Sequence, residues 1–380
     1  MRVALIQYWL VAMRGGEKVL EALCELFPQA DIFTHVYIPE AVSPTIRQHR
    51  IITSFIQRLP FAGKLYRKYL PLMPLALEQL DLRGYDLVIS LESGPAKGVI
   101  TGADTLHVCY CHTPMRYLWD FYQNYLAESN LVVRTFFRFF AGRLRVWDVL
   151  SAQRVDFFAA NSVNVAHRIA KHYRREAKVI FPPVDVEFFA PPDGVAPAIE
   201  DYYLFVGQLN AYKRADLAVK ACSQTGRKLL VVGEGPERIR LERMAGPTVT
   251  FAGRQNDEFL RHKLQRCKAL LFPGEEDFGI VPVEALAAGR PVIAFGRGGV
   301  LETVVHKRSG ILFSEQTEDC LIRAIEDHEA GAYSFDGATL TAEAGRFEKA
   351  AFLKNFAKFM DDCLAAKKQK SFFVISGGAA

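Results

Sequence analysis

The sequence predicts an α/β protein built from two Rossmann-like domains, on three observations. Its 380 residues exceed the ~100–200 residues usual for one domain, so two domains are expected. Short apolar runs alternate with helical periodicity along both halves, which marks parallel sheets covered by helices on both faces. A proline-rich stretch separates the halves, with Pro182, Pro183, Pro191, Pro192 and Pro197 falling between Phe181 and Asp201.

The elements follow in order. In the first half the strand candidates are 3–7, 31–36, 86–90, 105–110 and 157–161, with helices between most of them, as over 16–27. In the second half they are 203–206, 228–232, 249–251, 269–272, 291–294 and 311–313. The expected division is an N-terminal domain over 1–185, a linker over 186–200, a C-terminal domain over 201–350, and a helix with a tail over 351–380. A ligand cleft is expected between the two sheets. Phe352, Phe356, Phe359, Met360 and Cys363 recur at helical spacing and predict a terminal helix that packs one apolar face on a domain. Lys367-Lys368-Gln369-Lys370 and the small residues after them predict a frayed tail.

Composition narrows the class. Half the residues are hydrophobic and 23% are charged, a globular balance. A net charge of only +5 and the lack of a recognisable binding module argue against nucleic acid. The seven cysteines are odd in number and scattered, and Cys109 and Cys111 stand too close together for a zinc knuckle. A reducing, cytoplasmic setting is expected. The apolar run at the N-terminus is too short for a signal peptide and reads as a first strand. No run of about 18 apolar residues predicts a membrane span.

The chemistry concentrates at Glu276-Asp277-Phe278-Gly279-Ile280-Val281-Pro282-Val283-Glu284-Ala285. Residues 269–272 read as a buried parallel strand, and Pro282 suits the first turn of a following helix that Gly289-Arg290-Pro291 stops. Glu276 therefore lies beyond the carboxyl end of a parallel strand, where open α/β sheets bind ligands. Glu284 lies in the first turns of the helix. Two carboxylates so held can accept hydrogen bonds from two sets of sugar hydroxyls. They can equally serve to complement the positive end of the helix.

With this signature the chain resembles the retaining GT-B glycosyltransferases, in particular glycosyltransferase family 4. The resemblance extends along nearly the whole chain through Gly15-Gly16-Glu17, Cys111-His112-Thr113-Pro114, Asn161-Ser162, Pro182-Pro183-Val184-Asp185, Val206-Gly207 through Lys213-Arg214, and Gly233-Glu234-Gly235-Pro236. It implies a GT-B fold, with two parallel-sheet domains facing across a cleft. By the same resemblance Glu276 binds donor-sugar hydroxyls and Glu284 the nucleotide ribose, with Phe278 and Ile280 flanking the Gly279 backbone that faces the sugar or diphosphate. Lys213 would neutralise the departing diphosphate. Many relatives carry arginine directly after the strand-ending glycine, whereas this chain has Gln208, so part of that charge is expected from Arg214. Gly253 and Arg254 are a place to look for base selectivity. In the N-terminal half, Gly15 and Gly16 offer bare backbone amides at a helix start. His112, at the end of a strand, corresponds to a histidine that contacts the transferred sugar in relatives. Ser162 is a weaker candidate, since a helix cap explains it equally well.

The resemblance further implies a nucleotide sugar as co-substrate and transfer with retention. No Asp-x-Asp pair occurs, so no metal and no other cofactor is expected. The segments 110–117 and 212–214 look most like bacterial mannosyltransferases that use GDP-mannose, with UDP-glucose or UDP-galactose as the alternative donor. A nucleotide-sugar epimerase of the same fold and a non-catalytic scaffold are the rival functions. Two stretches of the first half combine aromatic residues with arginine and lysine and contain no acid, one between Glu40 and Glu78, the other between Glu128 and Asp148. Such stretches suit either a solvated face over a core or peripheral contact with the inner membrane surface. On the second reading the acceptor is a lipid-linked glycan of polysaccharide biosynthesis.

Overall fold

Every strand among the described residues lies in one of two parallel sheets. The computed structural model describes residues 1–192 and 197–376, and the chain divides into two compact units, Met1–Pro182 with Phe352–Ala380, and Pro183–Ala351. In unit 1 the strands are β1 (Val3–Gln7), β2 (Asp31–Thr34), β3 (Ile51–Thr53), β4 (Leu87–Glu92), β5 (Leu106–Cys111), β6 (Phe157–Ala160) and β7 (Ala177–Val179). Their order is β3-β2-β1-β4-β5-β6-β7. In unit 2 they are β8 (Tyr203–Val206), β9 (Leu229–Val232), β10 (Val249–Gly253), β11 (Leu270–Phe272), β12 (Val292–Phe295) and β13 (Gly310–Phe313), in the order β10-β9-β8-β11-β12-β13. The helices that matter below are α1 (Gly15–Leu26), α2 (Leu131–Ala152), α3 (Val163–Tyr173), α4 (Ala215–Thr225), α5 (Ile280–Ala287) and α6 (Lys349–Ser376).

The central strands read as continuous apolar runs because both their faces are covered. β1, β4 and β5 are buried at every position. β1 pairs with β4 from Val3 opposite Leu87 to Gln7 opposite Leu91, and β4 continues beside β5 until Glu92 meets Cys111. Strand order reverses between β1 and β4 in unit 1, and between β8 and β11 in unit 2. At such a switch point the loops after two adjacent strands diverge to opposite faces and leave a crevice at the carboxyl ends.

The sequence missed β3 and β7. Both are three-residue edge strands without a fully buried position, so neither carries the apolar run that identifies a covered strand. Two further expectations are corrected. The stretch assigned as linker, of which 193–196 lie outside the described residues, is docked on unit 2. Its short helix Val186–Phe189 buries Phe189, whose carbonyl accepts a 3.0 Å hydrogen bond from Gln265, and Arg290 donates to Pro197 O at 2.8 Å. The run Lys367 to Lys370 is not a frayed tail, because α6 continues to Ser376; residues 377–380 lie outside the described set. Phe352, Phe356, Phe359, Met360 and Cys363 do form the expected apolar face. They join the unit 1 core around Leu5, Val108 and Tyr110.

Candidate active site

The switch point of unit 2 brings together two of the residues read from the sequence. β8 ends at Val206, and the chain runs through Gly207 and the exposed Gln208 into a tight turn, Ala211–Lys213. β11 ends at Phe272, and the loop after it carries Gly274 and Glu276. The two loops touch at Gly274, where a Cβ would stand 2.8 Å from the Lys213 Cα, so only glycine permits the approach. The Lys213 ammonium donates to the Glu276 carboxylate, and both side chains are largely shielded, 14% and 19% exposed. A cation and a carboxylate are thus fixed side by side at the mouth of the sheet.

The rest of the signature follows from the start of α5. Gly279 has φ of 89° and caps the helix, a left-handed conformation that disfavours any side chain. Phe278 is buried edge-on against Phe347, with ring centres 5.4 Å apart, and pins the loop to the unit 2 core. Ile280 opens the helix, and Pro282 lies in its first turn. Glu284 is the one charged residue in an otherwise apolar helix, and it is half-buried. Arg214, at φ 53°, starts α4 and holds Asp216 through two hydrogen bonds of 3.1 and 3.2 Å. Its guanidinium is thus oriented by a neighbouring carboxylate through Nε and Nη2. Gly253 ends β10 and accepts the Gly233 N–H at 2.8 Å, and Arg254 next to it is exposed. Both lie two strands from β8.

Sequence reasoning missed a clamp on this loop. The turn after β12 packs against the Glu276 segment, with the Gly299 N–H donating to Glu276 O at 2.8 Å and Arg297 paired with Glu275 at 3.3 Å. A Cβ on Gly299 would fall 2.2 Å from the Asp277 carbonyl oxygen. The signal was visible as Gly298-Gly299 two residues after an apolar strand, but nothing in the sequence says what the pair approaches.

Unit 1 assembles its own group at the ends of β1, β4 and β5. Gly15 and Gly16 form the first turn of α1, as expected. His112 follows β5, and its backbone N–H donates to Glu92 O at 2.7 Å. Its ring packs edge-on against Tyr110, and its Nε2 lies 3.5 Å from where a Gly16 Cβ would be. The sequence-predicted Gly16 and His112 are therefore neighbours. Glu17 is buried beside them, accepts the Arg14 N–H at 3.0 Å, and has its carboxyl pushed up by burial. Ser162 caps α3 by accepting the Val165 N–H at 3.0 Å.

Beneath His112 lies a buried ionic cluster that the sequence did not announce. Lys97 bridges Glu92, at 3.1 Å, and Asp148 of α2, and all three side chains are fully buried. Trp119 and Tyr173 donate to Asp148 at 2.8 and 3.0 Å. Burial alone would strip the Lys97 charge, but Asp148 and Glu92 outweigh it and hold the ammonium protonated; burial lifts the Glu92 carboxyl above its usual range.

Comparison with known proteins bears on the family and on the fold. A family model described as Glycosyltransferase Family 4 matches residues 13–188, and one described as Glycosyl transferases group 1 matches residues 191–332. The chain belongs to glycosyltransferase family 4. Among curated members similar to this family 4 chain, a D-inositol 3-phosphate glycosyltransferase of Mycobacteroides abscessus is 33% identical over 37% of the chain and 36% of its own length. A GDP-mannose-dependent alpha-mannosyltransferase of Mycobacterium tuberculosis is 30% identical over 38% of the chain and 42% of its own length. The alignments thus span less than half of these relatives. Among solved structures, a sucrose-phosphate synthase from Thermosynechococcus elongatus superposes with a TM-score of 0.76 at 21% identity, covering 96% of the family 4 chain and 100% of that protein. The Anabaena HepE structure in complex with UDP-glucose superposes at 0.68 with 18% identity over 95% of the chain. The fold is GT-B.

Proposed function

We propose that the chain is a retaining hexosyltransferase that takes mannose from GDP-mannose and passes it to a lipid-linked glycan. The observation that carries the reading is the Lys213–Glu276 pair at the unit 2 switch point. In the proposed reaction the bond between the sugar's anomeric carbon and the diphosphate oxygen breaks. The acceptor hydroxyl oxygen attacks from the same face, and its proton passes to the departing diphosphate oxygen. Lys213 balances the charge that develops there, while Glu276 accepts hydrogen bonds from sugar hydroxyls. Glu284 accepts from the ribose, the Gly279 backbone approaches the sugar or diphosphate, and His112 touches the transferred sugar.

Mannose as the sugar is supported by the GDP-mannose-dependent relatives. No metal is required on this reading, because Lys213 supplies the cation; activity abolished by EDTA and restored by Mn²⁺ would overturn that part. The setting is cytoplasmic, with peripheral contact to the inner membrane surface where a lipid-linked acceptor resides.

The test is a thermal-shift series with GDP, UDP, ADP and their sugar conjugates. A ligand that binds only the folded state stabilises by about 2.7 kcal/mol at a hundred times its Kd. A shift with GDP and GDP-mannose alone supports the donor, and a shift with uridine nucleotides replaces it by UDP-glucose or UDP-galactose. No shift with any of them removes the transferase reading. Release of free sugar epimer without acceptor would make the protein an epimerase.

A further inference from the structure

The helix α2 presents two apolar stripes, and only one of them is used by the fold. Phe137, Ala141, Leu144, Asp148 and Ser151 face inward at the four-and-three spacing of a helix face and are buried. Val132, Phe136, Phe139, Val146 and Leu150 follow the same spacing on the opposite side and are exposed, Val132 by 78% and Phe139 by 65%. Arg143 completes this outer stripe, and its guanidinium lies 5.1 Å from the Phe139 ring. Arg138 is exposed at the flank of the stripe, whereas Arg134 lies on the inner side of the helix with Ala141. At about 1.5 Å per residue the helix offers a rod about 33 Å long.

The structure also joins the two basic-aromatic stretches that the sequence kept apart. Leu70 packs both on the cluster of Met115, Phe137 and Leu144 beneath α2 and on the cluster of Ile56, Ala62 and Met73. The segment carrying exposed Phe61, Lys64, Arg67 and Lys68 therefore runs beside α2. The sequence holds no acid between Glu128 and Asp148, and Asp148 is spent on Lys97 in the interior. A long helix with aromatic and aliphatic residues outward, one arginine among them and another at their flank, and no exposed carboxylate of its own is complementary to an apolar layer under negative headgroups. A second copy of the chain is a poor occupant, since pairing two such faces would set arginine against arginine.

We propose that the outer face of α2 docks on an anionic lipid bilayer, with Val132, Phe136, Phe139, Val146 and Leu150 entering the interface and Arg138 and Arg143 contacting headgroups. No described helix is long and apolar enough to cross a membrane, and none is needed for this mode. The proposal deepens the lipid-linked acceptor reading and rests on it for its purpose, but its test uses neither donor nor acceptor.

The experiment is co-sedimentation of the full chain with vesicles of phosphatidylcholine alone and of phosphatidylcholine mixed with phosphatidylglycerol, at low and high salt. Binding is expected to the mixed vesicles and to weaken with salt. Removing two near-surface charges as Arg138→Gln and Arg143→Gln is expected to lower affinity about 25-fold, about fivefold per charge. Phe136→Ser with Phe139→Ser should abolish binding while leaving the melting temperature unchanged, because both side chains are already exposed. Absence of binding to anionic vesicles overturns the proposal, as does binding indifferent to these substitutions. A dimer in sedimentation analysis that Phe136→Ser and Phe139→Ser dissolve assigns the face to a second copy and overturns it too. Vesicle binding together with turnover of a water-soluble acceptor would remove the lipid-linked acceptor alone.

Discussion

Lys213 and Glu276, 63 positions apart in the chain, are ion-paired at the switch point of unit 2. In this state the carboxylate neutralises the ammonium, so an incoming diphosphate has to compete for it. Glu276→Gln is therefore expected to raise the affinity for a bare nucleoside diphosphate by several-fold, on the order of 1 kcal/mol, while lowering kcat by about 10²–10³. Lys213→Ala should weaken the same diphosphate and lower kcat together. Calorimetry beside initial rates reads both; a Glu276→Gln protein that loses diphosphate affinity would show that the carboxylate itself supports phosphate binding.

The clamp formed by Gly299 gives a second prediction. A methyl group at this position would meet the Asp277 carbonyl oxygen at 2.2 Å and the Phe278 Cα at 2.4 Å, backbone that cannot swing aside. Gly299→Ala should displace the Glu276 loop, with a stability loss of about 1–3 kcal/mol and a larger proportional loss of turnover. Gly345→Ala is the control, since a Cβ there meets nothing within 4 Å. Equal behaviour of the two variants would remove the clamp.

What the sequence showed and what it hid have separate physical causes. All eleven strands read from it are present, and the central ones are legible because a strand covered on both faces must be apolar throughout. The two it missed are edges of only three residues, where exposure removes that requirement and the run is too short to stand out. Glu276, Gly279 and Glu284 were legible through spacing along one local segment. The ion pair of Glu276 with Lys213 was not, since it depends on β8 and β11 being neighbours across a sheet. Lys97 was invisible for a related reason. A buried lysine resembles any surface lysine until Asp148, 51 positions away, is brought beside it by the packing of α2.

That cluster predicts a large stability effect. Lys97→Met leaves Glu92 and Asp148 buried without their cation, and breaking one partner of a buried pair costs about 3–5 kcal/mol. Urea unfolding of the variant should show that loss. A loss under 1 kcal/mol would mean that the carboxyl groups take up protons and settle without cost.

Acid should act through the buried histidines of unit 1. His107 hydrogen-bonds Ser90 at 2.9 Å and His35 hydrogen-bonds Ser54 at 2.9 Å, and burial lowers both to about 4. Both are neutral in either state above pH 6.5. As pH falls from 6.5 toward 4 the unfolded chain gains a proton that the folded chain refuses, so each histidine withdraws roughly 3 kcal/mol of stability. Burial raises Glu92 and Glu17, and these titrate with the opposite sign in the same range. The readout is accordingly the difference between the protein and His107→Gln, whose stability should fall less steeply below pH 6.5. Parallel curves would show that His107 accepts its proton in the folded state.

Gln208 supplies the last prediction. It stands exposed directly after Gly207, on the same loop that leads to Lys213, and Arg214 nearby is held by Asp216. If Lys213 is the cation that meets the diphosphate, the loop is one charge short of a two-point clamp. A guanidinium can engage two phosphate oxygens at once, which a neutral amide cannot. Gln208→Arg should therefore tighten nucleoside diphosphate binding by about five- to tenfold, roughly 1–1.4 kcal/mol, with no change in melting temperature in the ligand-free protein. Unaltered affinity would mean that position 208 does not face the diphosphate, and the donor would then have to be held by Lys213 without help from that side of the loop.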